Sequence, residues 1–404
     1  MKILIVNDQH FPLVNGVAWF ARNLAIGLAD RGHEVQVIAT SYQKNGHQSM
    51  KTDKNHAVHY LSSVQVPFYT AMRISLFPFR EVKRIIQDFQ PDVIHIQSPL
   101  TIGKAAMKFG KTMGIPVVTT NHQMSENVLR QFKFLRPISR PLNKIITNYG
   151  MHFHAGADFI TVPTASAANL FADAFAKINK VAKPISNGID LSTFQPPSPK
   201  NFASDQKIFA KFNINPTRKI VLYIGRVDKD KHLSTIVQAF AKIREMKIDA
   251  DLLIVGTGND IENLREIATT KNTANNVIIT GFVSEEEKSA LARVGTVYAM
   301  PSPVELQSIS TLEAMASGQP VVAANAGALA ELCHNEKNGF LVELDDIDGF
   351  AKSFATILTD EKLREIFSKE SLRIAKTHDL QHVLTEFEAV YREQIEKFAK
   401  RPKS

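Results

Sequence analysis

Two segments of the chain carry residues whose types and spacing suit chemistry on an anionic substrate. The first is Gly225-Arg226-Val227-Asp228-Lys229-Asp230-Lys231, directly after an apolar run at 220–224. A glycine at a strand end permits a tight backbone turn. Arg226 and Lys231, both near the carboxyl end of one strand, can converge on a single anion, one as a planar fork and the other as a point charge. A diphosphate leaving group needs such partners, because its negative charge grows as its bond to the departing group breaks. The bland alternative is two solvated basic side chains in a charged loop.

The second segment follows an apolar run at 296–300. It reads Pro301-Ser302-Pro303-Val304-Glu305 and continues Leu306-Gln307-Ser308-Ile309-Ser310-Thr311-Leu312-Glu313-Ala314-Met315-Ala316-Ser317-Gly318. Residues 308–316 are expected to be helical, stopped by Gly318 and Pro320. A helix N-terminus presents free N–H groups and the positive end of the helix dipole, which suits a phosphate. Glu305 precedes this helix and Glu313 lies about one and a half turns into it. The two carboxylates can therefore hold hydroxyls on either side of a diphosphate, a sugar at one end and a ribose at the other. Otherwise Glu305 only favours the helix start and Glu313 is a surface residue.

Other loops fit the same chemistry. Val255-Gly256-Thr257-Gly258 ends a strand with two glycines, and Gly281-Phe282-Val283-Ser284 follows another strand, where its backbone can pair with a base edge. Near the N-terminus, Gly16-Val17-Ala18 opens a helix after the first strand, and Gly16 allows a ligand close to the backbone. His95 and His122 stand at or just past strand ends, where a structural hydrogen bond is the commoner role. His378 and His382 have an HxxxH spacing, yet no glutamate of a zinc-protease motif and no third ligand nearby, so they read as surface histidines. No paired-aspartate loop supports calcium or magnesium. The positive charge for a leaving diphosphate must then come from Arg226, Lys231 and the helix end.

These residues need strands to carry them. Short apolar runs at 3–6, 35–38, 93–96, 117–119 and 159–162 alternate with amphipathic stretches such as 17–30 and 101–113. After Gln195-Pro196-Pro197-Ser198-Pro199-Lys200 the alternation restarts, with runs at 220–224, 252–255, 277–279, 296–300 and 321–323. Alternating strands and helices imply right-handed crossovers and parallel sheets. The expected architecture is α/β, with two Rossmann-like doubly wound domains at 1–194 and 205–379, a linker at 195–204, and a terminal helix at 380–404. That last helix has one apolar face at helical spacing, suited to packing back on the first domain. Ligands in such sheets bind beyond the carboxyl ends of the strands, so a cleft between the two domains is the expected site.

Composition narrows the class. The 404 residues contain a single cysteine, Cys333, so no internal disulfide and no cysteine-based metal site is available. No apolar run is long enough for a transmembrane helix, and the run at 3–6 is too short for a signal peptide, so a cytoplasmic chain is expected. The net charge of +8 is uneven: residues 1–200 hold 22 Lys/Arg against 11 Asp/Glu, and the remainder 26 against 29. A basic first half is expected to meet something anionic, whether a membrane surface, a nucleic acid or an acidic substrate. No nucleic-acid-binding module is recognisable.

In order and at these separations, Asn187-Gly188-Ile189-Asp190, the Arg226 to Lys231 spacing and the Glu305-x7-Glu313 pair with its Glu-Ala-Met-Ala-Ser-Gly-Gln-Pro-Val-Val sequel resemble the retaining family-4 glycosyltransferases of GT-B fold. The resemblance runs along nearly the whole chain. It implies that Arg226 and Lys231 bind the diphosphate of a nucleotide-sugar donor, that Glu305 faces the sugar and that Glu313 holds the ribose. It further implies base contacts from Phe282 and Val283, and amides of Ser308, Ile309 and Ser310 on the sugar or phosphate. Gly16 and Val17 would lie against the donor, Gly256 near it, and His122 near the sugar. Retention of configuration without a divalent metal or other cofactor is implied too, by front-face attack with the departing phosphate taking the acceptor proton. Many members have Glu-x-Phe-Gly where this chain has Glu305-Leu306-Gln307-Ser308.

The basic excess has a focus. No Asp or Glu occurs from Asn127 through Ala157, a stretch with Arg130, Lys133, Arg136, Arg140 and Lys144 among Leu129, Phe132, Phe134, Leu135, Ile138 and Leu142. Met72-Arg73-Ile74-Ser75-Leu76-Phe77-Pro78-Phe79-Arg80 has a similar mixture. Basic residues beside apolar ones suit an anionic bilayer, though they equally describe a solvated face over a core stripe. Together with the loop at 15–18, they resemble the lipid-glycosylating branch, such as diacylglycerol glucosyltransferases. The expectation is a peripheral enzyme at the inner face of the cell membrane, moving glucose from UDP-glucose to a lipid acceptor. A GDP-mannose-dependent transferase, one acting on a soluble or polysaccharide acceptor, and a nucleotide-sugar 2-epimerase of the same fold are the alternatives.

Overall fold

The computed structural model describes residues 1–9, 15–42, 48–51, 56–66, 69–122 and 139–401, of which 48–51, 69–72 and 139–140 are described by backbone alone. The chain forms two compact units, Met1–Asn187 with Gln381–Ser404, and Gly188–Leu380. The division falls inside the motif Asn187-Gly188-Ile189-Asp190, ahead of the stretch expected as a linker. Residues 195–200 thus belong to the second unit, where Phe194 is buried in the core. No helix among the described residues is long and apolar enough to cross a membrane.

The strands of the first unit are β1 (Lys2–Asn7), β2 (Glu34–Thr40), β3 (Gln48–Lys51), β4 (Ala57–Leu61), β5 (Val64–Val66), β6 (Tyr69–Ile74), β7 (Val93–Ile96), β8 (Val117–Thr120), β9 (Phe159–Val162) and β10 (Ala182–Pro184). Eight of them form one sheet in the order β10-β9-β8-β7-β1-β2-β4-β3, parallel except that β3 runs antiparallel to β4. β5 and β6 form a separate antiparallel pair. The central strands are buried on both faces, as a parallel sheet under helices requires; in β1, Ile3 to Val6 are all inaccessible to solvent. Their unbroken apolar runs made them legible in the sequence. β3 to β6 and β10 were not foreseen, being short and of mixed polarity.

The helix Leu380–Ala399 packs within the first unit. Val383, Leu384, Phe387, Val390 and Tyr391 are buried along one face. The Phe387 ring lies 5.7 Å from that of Phe20, and Tyr391 Oη lies 2.7 Å from His95 Nδ1. At the rim, Glu388 pairs with His33 at 2.9 Å and Arg31 at 3.4 Å.

The second unit contributes β11 (Lys219–Ile224), β12 (Ala250–Val255), β13 (Val277–Ile279), β14 (Val297–Met300), β15 (Val321–Ala324) and β16 (Gly339–Val342). They form one parallel sheet in the order β13-β12-β11-β14-β15-β16. Strand order reverses between β11 and β14, which makes their carboxyl ends the natural ligand position in this unit. Beneath the sheet, Arg293 on the helix Glu285–Val294 grips Asp205 on the helix Phe202–Lys211 with two hydrogen bonds, of 2.7 and 2.6 Å. Both side chains are 7% exposed. Removing one partner leaves the other charge buried and unpaired. Asp205→Ala is therefore expected to lower the unfolding free energy of the second unit by about 3–5 kcal/mol in urea titrations, whereas Arg265→Ala, which removes a solvated pair with Glu262 in the same unit, changes it by less than about 1 kcal/mol. A loss below about 1 kcal/mol in Asp205→Ala would contradict this role.

Candidate active site

The reversal of strand order brings the two chemistry-bearing segments together. Val221 and Leu222 of β11 pair with Val297 and Tyr298 of β14, so the loops that leave their carboxyl ends are neighbours. Lys231 Nζ stands 2.6 Å from Glu305 Oε1 and 3.4 Å from Ser302 Oγ. Both partners of this pair are largely shielded, at 16% and 15% side-chain exposure. Arg226 is placed differently: its guanidinium is paired with Asp228, and with Asp230 at 3.0 Å. The two bases expected to converge are thus each held by their own carboxylates, at the same edge of the sheet.

Buried tyrosines and glycines build this edge. Tyr223 donates from its hydroxyl to the Arg226 carbonyl at 2.8 Å, and Tyr298 places its hydroxyl 3.1 Å from the Ile224 carbonyl and 2.9 Å from Ser310 Oγ. The loop after β12 lies directly on the loop after β11. Gly256 has φ +142°, and a Cβ there would stand 1.9 Å from the Gly225 carbonyl oxygen, so only glycine fits. Gly327, at φ +55°, does the same for the Glu305 loop: a Cβ would come within 2.7 Å of the Glu305 carbonyl oxygen. The neighbouring Ala328 amide donates to that oxygen at 3.0 Å.

Ser308 is the N-cap of the helix Ile309–Ala316, one residue shorter than expected. Its hydroxyl accepts from the Thr311 amide at 3.3 Å and from Thr311 Oγ1 at 2.7 Å. Serine therefore has a capping role where many members of the resembling family have glycine, and its φ of −86° needs no glycine. The cap leaves the Ile309 and Ser310 amides with no acceptor among the described residues. These are the donors that a helix start offers to an anion.

Glu313 is not the surface residue of the bland alternative. It is buried, and Lys288 Nζ lies 2.6 Å from its Oε1. Burial pushes the Glu313 carboxyl up from its ordinary value, and Lys288 pulls against that rise. The strand-end loop at 281–284 precedes the helix that carries Lys288. Within it Phe282 is 69% exposed, Val283 packs against the core, and Ser284 forms a capping box with Glu287.

In the first unit, Gly16 begins the helix Gly16–Asp30, followed by Val17; Asn15 caps it, accepting from the Ala18 amide at 2.8 Å. His122 Nε2 is 2.8 Å from Gln97 Oε1, and its ring lies 5.0 Å from Phe20. Burial, aided by the neighbouring His154, lowers its pKa to about 3, so the imidazole is neutral. His95 is wholly buried between Tyr391 and Thr120, at 2.7 Å from each, which is a structural role. Asp8 was not singled out from the sequence. It is buried at the end of β1, accepts from Ser98 Oγ at 2.7 Å and from the Ile102 amide at 3.2 Å, and burial raises its pKa to about 6. Of the residues expected at a membrane or acceptor, Arg130, Lys133, Phe134 and Arg136 lie outside the described residues. Arg140 lies in the helix Ser139–Ala155 and is described by backbone alone.

The second unit thus brings Lys231, Glu305, Glu313 and the Ser308 helix end, all singled out in the sequence, to one region, together with Ser302, Gly327 and Lys288, which were not. The i,i+3 relation of Glu285 to Lys288 was readable, but it gave no sign that Lys288 reaches a helix 25 positions on.

Residues 14–193 match the family described as Glycosyltransferase Family 4, and residues 204–373 match Glycosyl transferases group 1. The chain is 27% identical to the sulfoquinovosyl transferase SQD2 of Arabidopsis thaliana over 93% of its length and 70% of the relative's. It is 25% identical to an alpha-monoglucosyldiacylglycerol synthase of Streptococcus pneumoniae over 84% of its length and 75% of the relative's. Its fold matches the crystal structure of Anabaena HepE in complex with UDP-glucose, with a TM-score of 0.73, 17% identity, and coverage of 97% of this chain and 100% of that one. With one family matched by each half, this chain belongs to the GT-B glycosyltransferases built from a family 4 domain and a group 1 domain.

Proposed function

We propose that this glycosyltransferase moves glucose from UDP-glucose, with retention of configuration, to a membrane lipid such as diacylglycerol. The observation that carries the donor half is the Lys231–Glu305 pair beside the uncapped amides of Ile309 and Ser310. A cation and two free N–H groups receive the diphosphate, while the carboxylate of Glu305 accepts from sugar hydroxyls. Arg226 lies at the same sheet edge and adds positive charge once it exchanges its aspartate partners for phosphate. Phe282 and Val283 supply apolar contact to the base, next to Gly256, and Glu313 accepts from the ribose. In the first unit, Gly16, Val17 and His122 are the candidates for contacts to the donor.

The lipid half rests on the relatives' names, one a synthase of a monoglucosyldiacylglycerol and one a sulfoquinovosyl transferase, and on the basic excess of residues 1–200. Such an excess suits peripheral work at an anionic bilayer.

In the proposed reaction the bond from the anomeric carbon to the diphosphate oxygen breaks, its electron pair leaving with the diphosphate. The acceptor hydroxyl oxygen bonds to the same face of that carbon, and its proton passes to the departing phosphate oxygen. Glu305 is held as the partner of Lys231, which disfavours it as a nucleophile and supports front-face transfer. Lys231, Arg226 and the helix N-terminus stabilise the growing charge, so no divalent cation is required in this scheme.

Incubation with UDP-glucose, GDP-mannose and total lipid extract, read by mass, is expected to give a hexosylated diacylglycerol from UDP-glucose. A product only from GDP-mannose or only on a water-soluble acceptor would overturn the donor or the acceptor assignment respectively, and conversion of the nucleotide sugar to its epimer without acceptor would overturn transfer. Lys231→Ala and Arg226→Ala are each expected to lower kcat by about 100-fold with an unchanged circular dichroism spectrum. Rates within about threefold of the parent for both would remove the diphosphate assignment. Full activity is expected in excess EDTA, and a loss restored by added magnesium or manganese would refute the metal-free scheme.

A further inference from the structure

Lys288 is the least expected ion in the second unit. A lysine with 13% side-chain exposure surrenders much of its hydration, and that is tolerated only where partners replace it. Its Nζ lies 2.6 Å from Glu313 Oε1 and 3.1 Å from Glu285 Oε1, and 5.2 Å from the centroid of the Phe194 ring. Burial acts to lower the pKa of this ammonium, but Glu313 and Glu285 outweigh it and raise it, so the group remains charged.

The pair has a direction. Lys288 takes Glu313 Oε1, and the described residues supply no donor to Oε2. A carboxylate with one oxygen engaged is held in one orientation and still accepts through the other. Lys288 also lies on the helix Glu285–Val294, whose cap Ser284 ends the exposed loop with Phe282. The same ammonium therefore ties the carboxylate to the element that presents Phe282.

We propose that Lys288 is a positioning residue for nucleotide recognition: it keeps Glu313 ionised and aimed so that the free oxygen accepts from the ribose hydroxyls, and it locks that carboxylate to the loop at 281–284. This rests on the assignment of Glu313 to the ribose made above. Substrate choice at this point is ribose against 2′-deoxyribose, because a carboxylate oriented for a hydroxyl pair loses an accepted hydrogen bond when one hydroxyl is missing.

The test uses the full chain and calorimetric titration with UDP and 2′-deoxy-UDP at about pH 6 and about pH 8.5, either side of neutrality. The parent is expected to bind UDP about tenfold more tightly than its 2′-deoxy analogue. Lys288→Met removes the charge that holds Glu313 ionised. It should therefore weaken UDP by about tenfold at the lower pH, less at the higher pH, and the 2′-deoxy analogue by under about threefold at either. Lys288→Gln, which retains a donor without the charge, should show the same pH dependence with a smaller loss, and serves if Lys288→Met unfolds. Lys288→Arg should restore binding to within about threefold. In turnover, the donor KM should rise with kcat little changed. Equal weakening of both nucleotides, or weakening independent of pH, would show a merely structural role and overturn the proposal. Parent discrimination that survives in Lys288→Met and Lys288→Gln would overturn it while leaving the ribose assignment intact. Equal parent affinity for both nucleotides, with Glu313→Gln unchanged, would remove the ribose assignment and the proposal together.

Discussion

The pairing of β11 with β14 is the constraint on which the second unit depends. Val221 and Leu222 meet Val297 and Tyr298 across about 75 residues of chain, and the sheet runs outward in opposite directions from that junction. The crossovers that follow two adjacent parallel strands there lead to opposite faces, so their loops diverge and leave room between them. Lys231 and Glu305 occupy those two loops. Shift the pairing by one residue and every side chain of β14 changes face, Tyr298 included, and with it the hydroxyl that steadies both Ile224 and Ser310.

Much of the site is then a matter of how buried charge is compensated. Lys231 with Glu305, Lys288 with Glu313, and Arg293 with Asp205 are three pairs in one unit with little exposure on either side. The first two lie at the carboxyl edge of the sheet, and the third lies in the helical layer. Such pairs return little net stability over apolar packing, since desolvation opposes attraction. What they provide is orientation: a paired carboxylate points one way and a paired ammonium remains charged. The third pair joins two helices, the first has Ser302 Oγ beside its ammonium, and the second has the Glu285 carboxylate beside its own.

The first unit is organised by apolar contact instead. Its terminal helix lays Phe387 and Tyr391 against Phe20 and His95, and His122 touches the same Phe20 ring. The helix Leu380–Ala399 thus supports, through one aromatic cluster, the histidine just past the end of β8. His95, His122 and His154 are all held neutral by burial, which leaves hydrogen bonding and shape as what they contribute at physiological pH.

The division between sequence and tertiary structure follows the range of the forces involved. By itself the sequence determined the parallel α/β architecture, because strands buried on both faces must be continuous apolar runs, and β1, β7, β11 and β14 read that way. It also determined the helix at Ile309–Ala316 and the residues at its start, since a cap, a glycine stop and a following proline act within a few positions. Glu305 and Lys231 were legible for the same reason, each standing at the end of its own strand. Only the tertiary structure decided their pairing with one another, the burial of Glu313, the capture of that carboxylate by Lys288, and the service of Gly327 beneath the Glu305 loop. Those are contacts between elements far apart in the chain, set by strand order and by the geometry of packed loops, and no local pattern of residue types encodes which distant partner will fill a given space.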